Sequence, residues 1–338
     1  MNKKHGATAK DIAEMCSVSQ ATVSYVINDT EGKRVSPQKR AEILEAARQL
    51  NYFPNASARN IRSRLCTSIG VVIGNNYTNT GFGEILQGIK RFLDTIGFTL
   101  TLVDGSRDPL KTEIVKCYYS NIICGVVFLA LDTQHIDTSV LDEKGIPYVI
   151  LSENGVFAKG MKPKTAFEDV IYDCIRFCRE KELRDILYIT RAINGRRPHN
   201  KYDLIIKAVQ DIFPQCTFTK IICETTSNGE DEEILAPIKS YLSAHEPDIA
   251  ITPNQRIGLL TQRCIMQKSF AVPQRIKHIC LTSSPFLFNT YPRISSLYIP
   301  NCEMGYFAAK LLVNIVREEP VEEKDFKCLL VHGDTTIV

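Results

Sequence analysis

Along the first fifty residues, apolar positions recur at helical spacing in three short runs. Thr8 and Asp11 bracket a helix start: the hydroxyl caps and the acid three residues on answers it, although Asp is a weaker capping-box partner than Glu. The helix they open extends from Ala9 to about Cys16, with Ile12, Ala13 and Cys16 on one face. Ser17-Val18 interrupts the pattern, and Ser19 can cap a second helix reaching about Ile27. In that helix Val23, Val26 and Ile27 point one way, while Gln20, Ala21, Ser24, Tyr25 and Asn28 point the other. After an insertion at 29–34, Ser36 caps a third helix. Pro37 stands at its first position, where a missing N–H costs nothing. Its expected packing face is Ile43, Leu44, Ala47 and Leu50.

From Ser68 onward the rhythm changes to apolar strands alternating with amphipathic helices. Strands are expected at Ile69–Ile73, Thr99–Val103, Ile122–Leu129, Pro147–Leu151, Ile186–Thr190, Phe218–Cys223, Asp248–Ile251, Lys277–Thr282 and Ser296–Ile299. Helices between them include Glu84–Ile96, carrying Ile85, Leu86, Ile89, Phe92, Leu93 and Ile96, and Ala166–Glu182. Regular β-α alternation implies parallel sheets covered by helices on both faces, and about 270 residues of it imply two such lobes. The expected fold is therefore an N-terminal all-α helix-turn-helix head plus an α/β body of two doubly wound parallel-sheet lobes.

Composition sharpens this division. A chain of 338 residues exceeds one ordinary core, and 44% hydrophobic with 23% charged residues describes a globular protein. No run approaches the ~18 apolar residues of a membrane span. The opening Met-Asn-Lys-Lys-His leads into polar sequence, unlike a secretory signal. The 12 cysteines include no C-x-x-C pair, and several sit in apolar runs, which suggests a reducing cytoplasm. The net charge of +3 is uneven: residues 1–64 carry eleven Lys/Arg and six acids, leaving the remainder slightly acidic. A basic head on a near-neutral body suggests that the head meets a polyanion.

Catalytic chemistry finds no footing. Gly81-Phe82-Gly83 follows a strand, but the next glycine is Gly88, too late for a dinucleotide fingerprint. The 6 histidines lack metal-ligand spacing, and neither a Gly-x-Ser-x-Gly elbow nor a Walker loop occurs. No enzyme activity, metal or cofactor is expected.

Two short helices joined by a tight turn, with small Ala13 at their crossing, suit the major groove, which is about as wide as a helix with side chains. Short polar-faced helices also occur in many other proteins, so the pattern alone leaves DNA binding open and the basic charge favours it. Residues 54–64 are short and polar, consistent either with a helix formed on a partner or with a flexible basic linker.

Thr8-x-x-Asp11-Ile12-Ala13, Val18-Ser19-x-x-Thr22-Val23-Ser24-x-Val26-Ile27-Asn28, Val35-Ser36 and Leu50-Asn51-Tyr52-x-Pro54-Asn55-x-x-Ala58-Arg59 together closely resemble the head of the lac-repressor and galactose-repressor family of bacterial regulators. The resemblance implies that Gln20, Ala21 and Tyr25 read base edges; Tyr25 replaces the Arg often found there, so no guanine contact is carried over. It implies phosphate contacts from Thr8, Ser19, Thr22, Ser24, Asn28, Lys33, Arg34, Ser36 and Asn55. It further implies that the hinge folds on DNA and enters the minor groove through Ala58, Arg59 and Ile61, with Ile61 as the wedge in place of the usual Leu.

The body is similar to the same family's sensor, a pair of lobes like those of periplasmic sugar-binding proteins. Matching pieces are Asn79-x-x-Phe82 ahead of Gly88, Gly97-Phe98-x-Leu100-x-Leu102, Gly145-Ile146-Pro147 and Met304-Gly305-x-x-Ala308. The implied boundaries are a head at 1–53, a hinge at 54–65 and a sensor at 66–338. Lobe 1 is expected at about 66–164 and 293–320, lobe 2 at about 165–292 and 321–338. Effector contacts are expected from Asn79, Phe82, Lys201 and Asn254, at the carboxyl ends of strands. Lys201 stands where sugar-sensing relatives have Arg, Asn254-Gln255 where they have Asn-Asp, and Ser283-Ser284 where they have an acidic turn. An effector other than a simple neutral sugar follows, with Lys201 either its counter-charge or a solvated surface residue.

The expected protein is thus a cytoplasmic, nucleoid-associated homodimer on double-stranded pseudo-palindromic operator DNA, repressing transcription under control of a small-molecule effector and engaging no membrane. An effector-independent architectural DNA binder and a plain small-molecule binding protein are the rival readings.

Overall fold

The computed structural model describes residues 7–27, 35–50, 52, 66–73, 80–104, 110–129, 136–152, 155–161, 166–193, 199–225, 231–267, 272–282 and 284–337. They fall into two compact units, Met1–Cys66 and Thr67–Val338. Asn28, Lys33, Arg34, Asn55, Ala58, Arg59, Ile61 and Asn79 lie outside the described residues.

The first unit contains α1 (Ala9–Met15), α2 (Gln20–Ile27) and α3 (Pro37–Gln49). Ile12, Ala13, Cys16, Val23, Val26, Ile43 and Ala46 form its core. Leu44 does not join them: it is 48% exposed. One position along a helix is about 100° of rotation, so the stripe holding Ile43, Ala46, Ala47 and Leu50 turns Leu44 outward.

The second unit holds two sheets. The first runs in the order β2-β1-β3-β4-β5, from β1 (Ser68–Ile73), β2 (Thr99–Asp104), β3 (Val126–Leu129), β4 (Tyr148–Ser152) and β5 (Gly155–Ala158). One face packs against α4 (Thr80–Thr95) and the chain-distant α12 (Asn301–Val316); the other faces α5 (Leu110–Tyr119) and α6 (Ser139–Glu143). The second sheet runs β11-β10-β9-β8-β6-β7. It is built from β6 (Asp185–Ile193), β7 (Thr217–Thr225), β8 (Ile249–Thr252), β9 (Lys277–Cys280), β10 (Ser295–Tyr298) and β11 (Leu329–Val331). Leu187, Ile189 and Ala250 pack against α9 (Asp231–Ala244) and α10 (Gln255–Gln267). Tyr188, on the opposite face, stacks on Tyr202 of α8 (His199–Ile212), which packs with α7 (Ala166–Glu180). The short α11 (Pro285–Phe288) follows β9.

Three points depart from the sequence pattern. β5 and β11 are unexpected, and each adds an antiparallel edge to a parallel sheet, hydrogen-bonded to β4 and β10 respectively. Ile122–Cys124 is not strand, because Asn121 turns the chain at a left-handed φ of 54° and the ladder begins only at Val126. β10, in the stretch expected in the first lobe, is bonded to β9 and β11 of the second sheet; only α12 of that stretch packs on the first. Among the described residues no helix is long and apolar enough to cross a membrane.

Candidate nucleic-acid interface and effector cleft

Each helix of the head begins on a hydroxyl. The Thr8 backbone N–H donates to Asp11 Oδ2 at 2.6 Å and its hydroxyl donates to the same oxygen at 2.8 Å. The Asp11 amide returns a bond to Thr8 Oγ1, closing the capping box. The Thr8 amide first, then its hydroxyl, holds the Asp11 carboxyl below its ordinary range. Ser19 Oγ accepts from the Thr22 amide at 3.1 Å and lies 2.9 Å from Thr22 Oγ1. Ser36 Oγ accepts from the Lys39 amide at 3.3 Å.

Three of the hydroxyls assigned to phosphates, on Thr8, Ser19 and Ser36, therefore first act as helix caps. That leaves them at the positive ends of helix dipoles, where backbone N–H groups favour anions. Gln20 and Ala21 are exposed in the first turn of α2, Thr22, Ser24 and Tyr25 are half-buried, and Val23 and Val26 are buried in the core.

The turn between α1 and α2 is fixed by contacts that the pattern did not single out. Ser17 adopts a left-handed φ of 52°, and the Val18 amide donates to Ala13 O at 2.9 Å. Lys39 reaches back from α3 to donate to Cys16 O at 3.0 Å while pairing with Glu42 at 2.8 Å. One basic side chain is thus tied inward, securing the carboxyl end of α1.

In the second unit, Lys201 and Asn254 meet at Pro253, whereas Phe82 belongs to the first lobe. Phe82 lies in the first turn of α4, 6% exposed and part of the first lobe's core. Asn254 caps α10, its Oδ1 accepting from the Ile257 amide at 3.1 Å. The Gln255 side chain accepts from Ser284 Oγ, which also caps α11. Lys201 extends from the first turn of α8 across the carboxyl edge of the second sheet. Its ammonium donates to Pro253 O at 2.9 Å and Leu281 O at 3.1 Å, 5.2 Å from the centre of the Phe167 ring. It is part-buried and tied to the protein: it links the starts of the loops after β8 and β9 to α8. Phe167, beside it, carries no motif that sequence could flag. Among the described residues no group of His, Cys, Asp or Glu is arranged to hold a metal ion.

Comparison with known proteins matches this architecture. Residues 8–55 fit the profile described as bacterial regulatory proteins, lacI family, and residues 175–336 that of the periplasmic binding protein-like domain. Catabolite control protein A of Staphylococcus epidermidis is 23% identical over 320 residues, covering 93% of this chain and 94% of the relative. The same-named protein of Staphylococcus xylosus is also 23% identical, over 321 residues covering 94% of each. Among solved structures, a lac repressor dimer bound to operator and the anti-inducer ONPF aligns with a TM-score of 0.79 at 18% identity, over 99% of this chain and 100% of that one. The complex of the regulator CelR with cellobiose aligns at 0.64 and 19% identity, over 97% and 99%. At such identities the structures speak for the fold, and the head profile with the full-length relatives speaks for kinship. The chain belongs to the lacI family of bacterial regulatory proteins.

Proposed function

We propose that the protein is a sequence-specific DNA-binding transcriptional regulator, a cytoplasmic, nucleoid-associated homodimer that represses from a pseudo-palindromic operator and answers to a small-molecule effector. The observation that carries this reading is the face of α2. Gln20 and Ala21 stand exposed at its start, over a helix anchored by fully buried Val23 and Val26. Gln presents a donor and an acceptor to adenine, and Tyr25 lies one turn further along the helix. Capped helix starts at Thr8, Ser19 and Ser36 take the phosphates. Asn28, Lys33, Arg34 and Asn55 add backbone contacts, and Ala58, Arg59 and Ile61 supply the minor-groove wedge. Relatives bound to operator and to ligands support the two-site plan.

The test is binding selection on random duplexes with the wild type, Gln20→Ala and Tyr25→Ala, repeated across salt. Base reading requires the two variants to change the preferred sequence, at about 1–3 kcal/mol per lost contact. Wild-type affinity should fall at least tenfold (roughly) between 50 and 200 mM salt. Uniform weakening on all sequences, or a flat salt dependence, would refute it.

A further inference from the structure

The geometry points to an oxyanion subsite at the carboxyl edge of the second sheet, making the effector a small organic anion, a carboxylate or a phosphate monoester. This rests on the effector-controlled reading above and names the chemistry of that effector.

Three observations converge there. The first is the placed cation. Lys201 is steered by Pro253 O, Leu281 O and the Phe167 face, neutral groups that orient the ammonium.

The second is a pair of helix starts. The bond from Lys201 to Pro253 brings the amino end of α8 beside that of α10, helices of 14 and 13 residues. Neither has an acid in its first turn. Asn254 caps the Ile257 amide at the start of α10, and the aligned peptide dipoles favour negative charge.

The third is Thr190, only 4% exposed, whose hydroxyl has no hydrogen-bond partner among the described residues. It shares a face of β6 with Tyr188, which stacks on Tyr202, the neighbour of Lys201. Carrying the β6–β8 register two residues past Tyr188↔Ile251 sets Thr190 level with Pro253. The hydroxyl therefore lies on the α8 side of the sheet, at the strand end that Lys201 crosses. A buried hydroxyl without a partner costs about 1–3 kcal/mol, a cost that an incoming oxygen acceptor removes. A neutral sugar would call for carboxylates to accept from its hydroxyls, and Pro253-Asn254-Gln255 and Leu281-Thr282 supply none.

The experiment uses the full chain, with inorganic phosphate and acetate as minimal probes, potassium chloride as the ionic-strength control and glucose as the neutral one. Calorimetry and thermal melting are run on the wild type, Lys201→Met and Thr190→Val. Saturable binding of phosphate or acetate is expected, with a rise in Tm beyond matched chloride. Lys201→Met should weaken it about tenfold or more. Thr190→Val should raise the Tm of the ligand-free protein while weakening the anion about threefold, a pair of effects that a purely structural threonine would not produce. Whichever probe binds more tightly tells a phosphate ester from a carboxylate.

The proposal is overturned if neither anion exceeds chloride, if glucose binds equally well, or if anion binding persists unchanged in both variants, which would place it on the basic head. Operator binding by the same preparations separates the two failures. Sequence-specific binding without an anion effect removes only the subsite, whereas no sequence-specific binding removes the regulator reading itself.

Discussion

Gly88 and Gly83 lie in one helix, five residues apart, and should respond to the same substitution with opposite signs. A Cβ at Gly88 would sit 1.9 Å from Cys302 O of α12, and one at Gly305 of α12 would sit 2.1 Å from Ile85 O of α4. The two helices therefore cross with each backbone seated on the other, a separation that only glycine permits. Ordinary contact begins near 3.4 Å, so Gly88→Ala must part α4 and α12 by about 1.5 Å. A radial gap of ~0.5–1 Å already forfeits a quarter to a half of a contact's dispersion energy, and the loss extends to the neighbouring apolar side chains of both helices. Overpacking ordinarily costs about 1–3 kcal/mol, and this case belongs at the upper end. For a unit of this size that is a fall in Tm of roughly 6–12 °C.

A Cβ at Gly83 meets nothing within 4 Å. Gly83→Ala should gain up to about 1 kcal/mol of helix propensity and raise Tm by roughly 2–4 °C. Gly88→Ala with Gly305→Ala should cost less than the sum of the single changes, because the helices have already separated. Differential scanning calorimetry on the full chain reads all four. A Gly88→Ala protein melting within about 1 °C of wild type would refute the close-contact argument.

Two further outcomes follow from local strain and burial. Ser17→Gly relieves a left-handed residue, a gain of about 0.5–1 kcal/mol after the greater chain entropy of glycine is deducted. Amide exchange in α1 and α2 should then slow roughly threefold; no slowing means that the turn is unstrained. His278 is fully buried between Gln262 Oε1 at 2.8 Å and Thr252 Oγ1 at 3.1 Å, and burial pushes its pKa down to about 3. Above the unfolded value near 6.5 the ring is neutral in both states. Below it the unfolded chain takes up a proton that the folded one refuses, so stability falls by about 1 kcal/mol per pH unit between 6.5 and 3. Denaturation of wild type and His278→Gln across that range should give a shallower slope for the variant, and equal slopes would mean that His278 is protonated in place.

Much of this molecule could be read one segment at a time. The Thr8–Asp11 capping box, the Ser36-Pro37 start of α3 and the Val23/Val26 stripe depend on neighbours within one turn, and the β-α alternation depends only on periodicity along each segment. Those features the chain settles locally, because the energies that decide them act between residues three or four apart. β5 and β11 were not legible, since an antiparallel edge exists only where another strand offers its free hydrogen-bonding side. The sheet that β10 joins was set by β9 and β11, not by its own residues.

The effector side divides in the same way. Sequence singled out Lys201 as a cation at a critical place, but its two acceptors lie 52 and 80 residues away. Thr190 enters the proposed subsite only because the sheet buries its hydroxyl, on the face of β6 that carries Tyr188. Residue type and local spacing determined the helices, the alternating strands and the basic head. Tertiary packing decided which carbonyls orient the charge and which hydroxyl is left unpaired, because those interactions come into being only when distant strands share one edge.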